Sequence, residues 1–320
     1  MLADIYDAFF GPGVRLSPPY LLAFVVMALA IFVVRERSFR PRQFLAWLFP
    51  AAIWRHPSLR VDVQLYVLNR MLSLSGALGA VTVQTVVAVA VAVGLGRLTG
   101  TPMAAGAWSG WSGVVVTVAI LIASDFVVYW VHRAHHELPV LWPFHAVHHS
   151  AEVMTPITVY RKHPVYDLIE AQVRALVMGA VIGALLVAVT DRIDVITLGG
   201  THAAYFLFHL LGSNFRHSHV WISYGPVLEH LLISPAQHQI HHSRAVRHHN
   251  RNYGEVLAIW DWMFGTLYVP RGREEFEIGL AESDGTPIPQ PHPTFARALM
   301  QPLRDSRAAL RRRRAVASRP

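Results

Sequence analysis

"DFVVYWVHRAHHELPVLWPFHAVHHS", residues 125 to 150, decides how this chain is read. It begins as the apolar end of a membrane segment and finishes as a run of imidazoles. His132 and His136 are four residues apart, so on a helix leaving the bilayer they share one face. "HAVHH" at 145–149 offers i, i+3 and i, i+4 pairs within one turn, and "HQIHH" at 238–242 repeats the spacing. Such regularity separates these clusters from isolated histidines such as His56 and His292, for which a structural role suffices.

Composition supplies the frame. The chain has 320 residues, 53% hydrophobic and only 15% charged, with a mean hydropathy of +0.35, too apolar for an ordinary soluble domain. Nineteen histidines make imidazole the residue to follow. The absence of cysteine excludes disulfides, thiolate zinc sites and iron–sulfur clusters held by this chain, so any metal must sit on nitrogen and oxygen. The net charge of +8 is carried almost wholly by arginine, Lys162 being the only lysine. Arginines gather at 35–60 and 304–314, beside apolar segments, where they mark cytoplasmic loops and contacts with anionic lipid rather than nucleic acid.

Three apolar segments are long enough to cross a bilayer: 20–34, extending back through Leu16, then 74–95 and 111–131. Segments 176–190 and 195–211, joined by "DRID", form a hairpin that crosses or dips; its first arm covers only about 22 Å. "FLAWLFPAAIW" at 44–54 reads as an interfacial segment broken at Pro50. The N-terminus lacks the basic region and cleavage site of a removable signal, so the first span is expected to stay as an anchor. The arginines at 35–60 place that stretch in the cytoplasm and 99–110 outside. His132, both later boxes and the C-terminus then fall on the cytoplasmic side.

Several metal chemistries are excluded. "HELPV" after His136 fails the H-E-x-x-H pattern and contains a proline, and the paired Glu and E-x-x-H motifs of carboxylate di-iron bundles are missing. "GLGRLTG" at 94–100 misses the spacing of a dinucleotide-binding turn. Eight boxed imidazoles exceed what one ion takes, so two ions are the simpler arithmetic. A metal transporter would carry histidine through the middle of several spans, and only His202 and His209 favour it. A non-catalytic metal-binding subunit would not need the third box.

The stretch 125–150, "HSH" at 217–219, "PAQHQIHHS" and "NYGEVLAIWDWMFGTLY" together resemble the fatty acid hydroxylase or sterol desaturase superfamily of integral-membrane di-iron enzymes, over about 124–269. The resemblance implies an all-α integral membrane protein of four to five transmembrane helices with a cytosolic histidine-rich helical cap. It also implies an O2-dependent oxidation of a lipid C–H bond by two iron ions, zinc being able to occupy the same ligands in a purified sample. Hydroxylation is the expected outcome, with desaturation or ether cleavage as alternatives. Carried over residue by residue, the ligands are His132, His136, His145, His148, His149, His238, His241 and His242, with His217 as an additional one. Some relatives have a further histidine where Trp221 stands, and His163 and His209 are candidates to replace it. Residues 1–110 are then an anchor with an interfacial segment, 111–280 the histidine-box domain and 281–320 a disordered Pro/Arg-rich tail.

Asp125 lies seven residues before His132, two turns along one face, within an apolar span where a lone carboxylate is costly. Its expected partner is a ligand imidazole, whose tautomer it would fix; the alternative is a salt bridge to Arg133 or Arg161. Oxygen activation needs two electrons, and the chain carries no heme module, cluster or nicotinamide site. An external donor of the ferredoxin or cytochrome type with its reductase is therefore expected, at a bacterial inner membrane.

Overall fold

In a computed structural model, residues 2–77, 79–100, 106–107, 110–188, 191–192 and 195–317 are described. The fold is helical, and among the described residues four helices are long and apolar enough to cross a membrane: 18–36, 81–99, 114–137 and 164–188. The expected outside loop at 99–110, the "DRID" link and the side chain of His202 fall wholly or partly outside the described residues.

A short α1 (Leu2–Phe10) precedes α2 (Pro18–Glu36), which starts on two prolines whose fixed φ suits a first turn. One stripe of α2, Phe24, Ala28 and Phe32, is buried against Phe44 and Leu48 and against Phe215 and Val220. Phe44 and Leu48 belong to α3 (Pro41–Leu48), which the chain breaks at Phe49–Pro50 before α4 (Ala51–Trp54). Next come α5 (Ser58–Leu74) and α6 (Ala80–Thr99). The second span was expected from Leu74, but Leu74 closes α5. Gly76 and Gly79, at φ +70° and +47°, make the turn between the two helices.

The next helix, α7 (Gly110–Glu137), runs unbroken from an apolar segment into the histidine-rich cap, where α8 (Trp142–His149) follows it. After them, α9 (Pro164–Ala188) starts twelve residues before the apolar run beginning at Leu176. Its length of about 37 Å resolves the short-arm difficulty, because Asp167, Glu170 and Arg174 are absorbed into its first turns by partners. Gly179 and Gly183 let α6 pack closely on α9; a Cβ at Gly183 would meet the Ala88 carbonyl oxygen at 2.5 Å. The last long apolar helix, α10 (Val195–Arg216), packs on α2 and α7.

The cap is completed by α11 (Gly225–Leu228), α12 (Pro235–His241) and α13 (Ile259–Met263). The tail corrects an expectation: 295–317 is not disordered but forms α14 (Phe295–Ala317). Its small residues Ala298, Ser306 and Ala309 recur at helical spacing and are buried, and Ala298 packs with Val61, Leu65 and Val147. The arginines at 311–314 stay on the exposed face, which is why composition alone suggested disorder.

Candidate metal centre

Each histidine box sits on a helix end. His132 and His136 project from the last turns of α7. His145, His148 and His149 come from α8, whose Pro143 occupies its first turn. His238 and His241 belong to α12, where Ser234 and Gln237 form a reciprocal capping box, and His242 follows as its C-cap. His217 immediately follows α10.

These nine imidazoles gather into two groups: His132, His136, His145, His149 and His241 in one, His148, His217, His238 and His242 in the other. Within each group the candidate ligand atoms lie within 4.8 Å of one another. Nε2 of His132 is 2.9 Å from Nε2 of His145, and Nε2 of His217 is 3.2 Å from that of His148 and 3.1 Å from that of His238. The α8 helix thus splits its box, sending His145 and His149 to one side and His148 to the other.

The donor set fits metal ions. Nε2 of His136, His241 and His242 is buried with no hydrogen-bond partner among the described residues, an arrangement that buried nitrogens rarely tolerate. Burial pushes His145, His148, His149, His217, His238 and His242 well below the ordinary histidine range, and the closeness of other imidazoles that cannot be protonated together, with nearby Arg and Lys cations, adds to the shift. Burial likewise takes His241 down to about 4, against a backbone hydrogen bond that raises it. Neutral imidazoles with free lone pairs suit iron, zinc, copper or nickel.

The loop segment from 250 to the first turn of α13 orients two rings of the five-histidine group. Nδ1 of His132 donates to the Tyr253 carbonyl and Nδ1 of His241 to the Arg251 carbonyl, both at 2.7 Å, leaving Nε2 of each ring as the candidate ligand atom. Asp261, fully buried, anchors that loop by accepting from the amides of Tyr253 at 2.8 Å and Gly254 at 2.7 Å and from the Thr266 hydroxyl. Gly254 admits no side chain there, because a Cβ would lie 2.5 Å from the Leu257 carbonyl oxygen. Asn252, at φ +56°, bonds through its side chain to the Gln237 and Tyr268 carbonyls.

Asp125 does not meet a ligand imidazole, Arg133 or Arg161. Its carboxylate accepts from the amides of Val256 and Leu257 and the indole of Trp260, each at 3.0 Å, so it fastens the same loop from the membrane side. Arg161 instead pairs with Asp62. His163 is occupied at both nitrogens, donating to the Leu299 carbonyl and accepting from the Val165 amide. Neither it nor His209 belongs to the two groups. His248 faces Glu274, and His135 donates to the Val131 carbonyl. The carbonyl anchors and Asp261 were missed as functional residues; "NYGEVLAIWDW" was the signal, but it does not say which atoms it supplies.

A family model described as fatty acid hydroxylase matches residues 117–266. Curated relatives include an ornithine lipid hydroxylase from Rhizobium tropici, 31% identical over 53% of this chain and 47% of that protein. An alkylglycerol monooxygenase from Danio rerio is 31% identical over 56% of this chain and 34% of its own. A Delta(7)-sterol-C5(6)-desaturase from Nicotiana tabacum is 30% identical over 50% and 53% respectively. The matches thus span between about a third and about half of these relatives' length. No solved structure matches significantly.

Proposed function

Residues 117–266 belong to the fatty acid hydroxylase family, and on that premise we propose that this chain is a membrane-bound, non-heme di-iron oxidoreductase that hydroxylates a lipid C–H bond. The observation that carries the reading is the convergence of nine imidazoles, seven buried and two half-buried, into two groups where the apolar helix α7 enters the cap. The relatives' names, a lipid hydroxylase, a monooxygenase and a desaturase, support oxidation of a lipid. Iron bound by the two groups would supply the oxidant, with O2 as co-substrate and two electrons from an external donor of the ferredoxin or cytochrome type.

The chain's own residues prepare that chemistry. Tyr253 and Arg251 hold the tautomers of His132 and His241 through their carbonyls, and burial keeps the remaining rings neutral without an acid in either group. Because α7 carries both an apolar span and two of the histidines, a lipid tail can stay in the bilayer while its reacting carbon meets the cap.

The test is product formation by the purified, iron-loaded protein from lipid extract, using isotopically labelled oxygen. The label should enter the lipid only when both O2 and reductant are present. Turnover that needs neither would overturn the reading.

We also place the boxes and the C-terminus in the cytoplasm of a bacterial cell, from the arginines at 35–60. The chain has no native cysteine, so single cysteines at the exposed Ser38 and Ser283 and at Thr101 report orientation to an impermeant thiol reagent. Only the Thr101 variant should label on intact cells; labelling at Ser283 would reverse the assignment.

A further inference from the structure

Beside the five-histidine group lies a set of charges that the proposed oxidation does not use. Lys162 Nζ is 3.3 Å from Glu170 and 3.7 Å from Asp167, and sits 5.0 Å over the ring of Tyr166. The Tyr166 ring in turn stacks on His145 at 4.9 Å, so one aromatic ring separates these charges from a candidate ligand. Arg15 pairs with Glu255, and its amide donates to the Tyr160 hydroxyl. The Arg70 guanidinium lies 5.2 Å over Tyr160 and 5.8 Å over Tyr66.

Two features identify this place as a hollow. The side chains of Arg15, of Lys162, Asp167 and Glu170, and of Glu255 come from three parts of the chain, yet each keeps between 15% and 28% of its surface accessible. Lys162 is nonetheless enclosed: burial works against its charge, and Glu170 and Asp167 more than restore it. Groups that are both enclosed and accessible line an internal space.

The charges in this space are incompletely matched. Arg15 and Glu255 cancel, whereas one lysine serves two carboxylates, leaving a negative charge over. Arg70 interacts electrostatically with Asp167 but has no carboxylate within ion-pair distance among the described residues, and its Nε is buried without a hydrogen-bond partner. A ligand that completes the set carries an anion for Arg70 and an ammonium for Asp167 and Glu170.

We propose that the hollow bounded by Arg70, Lys162, Asp167 and Glu170 seats the headgroup of a zwitterionic lipid, one bearing both an acidic group and an amine. This rests on the lipid-oxidising reading above and names its substrate class.

Binding to the full-length protein in nonionic detergent tests it, without oxygen or reductant. The probes are palmitoyl lysophosphatidylethanolamine, palmitoyl lysophosphatidylglycerol and monopalmitoylglycerol, which share one acyl chain and differ in headgroup charge. The zwitterionic lipid should bind most tightly and raise the melting temperature most. Arg70→Gln should weaken it by roughly tenfold or more, the size of a lost charge-assisted hydrogen bond. Arg70→Lys should recover part of the affinity. Glu170→Gln should shift preference toward the anionic lipid, and this near-isosteric change carries the test if the arginine variant fails to fold. Equal binding of all three lipids, or variants that retain the wild-type preference, would overturn the proposal. A protein that binds the zwitterion but oxidises no lipid would leave the headgroup site standing and remove the oxygenase reading.

Discussion

The ring of His132 is held by the carbonyl of Tyr253, 2.7 Å from its Nδ1, although 121 residues separate the two in the chain. That carbonyl is itself fixed, because Asp261 binds the amides of Tyr253 and Gly254. The orientation of a ring in the five-histidine group therefore depends on a carboxylate that touches no imidazole in it.

Asp261→Asn should expose the consequence. Replacing an acceptor by an amide group leaves one of three donors facing another donor, and a buried unpaired amide costs about 1–3 kcal/mol. Metal affinity and activity should fall by about 10–100-fold, the usual effect of losing a group that orients a ligand. Asp125→Asn, which loosens the other side of the loop, should do the same more weakly. Metal content by mass spectrometry after dialysis checks both, and an unchanged Asp261→Asn protein would remove the orienting role.

Two separate groups predict two separate losses. Iron-replete wild-type protein should hold close to two ions per chain. His241→Ala should empty the five-histidine group and His148→Ala the four-histidine group, each leaving about one ion and no activity. A wild-type protein saturated by one ion would refute the two-centre arrangement.

Buried neutral imidazoles also set an acid limit. An unfolded histidine titrates near 6.5, whereas His241 in the folded chain does so at about 4 and its neighbours lie well below 6.5. Below pH 6.5 the unfolded chain thus binds more protons than the folded one, so stability of the metal-free protein falls progressively between about pH 6.5 and 4 and is flat above 7. Melting temperatures across that range should show this slope. Stability that rises on acidification would contradict it.

The sequence was most legible where the chemistry repeats at helical spacing. Boxed histidines, three or four residues apart, show which faces they share whatever the tertiary structure. Asp125 was misread because the same spacing argument pointed it along its own helix, whereas its partners are amides 131 and 132 residues away. No local pattern encodes a carboxylate's preference for a distant loop. The start of α9 was set too late for a related reason: Asp167 and Glu170 lower the local hydropathy, but Lys162 compensates them in the fold. The arginine-rich composition of the tail likewise hid a small-residue stripe, visible at Ala298, Ser306 and Ala309 once the helix is known.

Helix packing at Gly183 offers a test away from the metal. Gly183→Val would drive a side chain into the Ala88 carbonyl and Val91, at 2.5 and 2.8 Å from the added Cβ. Overpacking of this kind costs about 1–3 kcal/mol, so the melting temperature should drop while the metal-to-protein ratio of the surviving fold stays at the wild-type value. Loss of metal at unchanged stability would mean that α6 and α9 position the site directly.

The strongest stability prediction concerns Arg161 and Asp62, an ion pair at 2.8 Å in which neither side chain has any exposed surface. Arg161 also donates to the Val147 carbonyl, the Ser58 carbonyl and hydroxyl, the Ser150 hydroxyl and the His292 carbonyl. One guanidinium thus joins α5, the histidine-bearing α8 and the segment leading into α14. Arg161→Met alone strands a buried carboxylate and should cost about 3–5 kcal/mol. Asp62→Leu alone should be comparably harmful, since it strands the cation. Charge is not stranded in the double variant, so its loss should be clearly smaller than the sum of the two, although the carbonyls of Val147 and His292 still lose their donor. A double-mutant cycle on melting free energy measures the coupling. Strict additivity would show that the pair contributes nothing beyond its separate contacts, and the cap would then be held by apolar packing among Val61, Leu65, Val147 and Ala298.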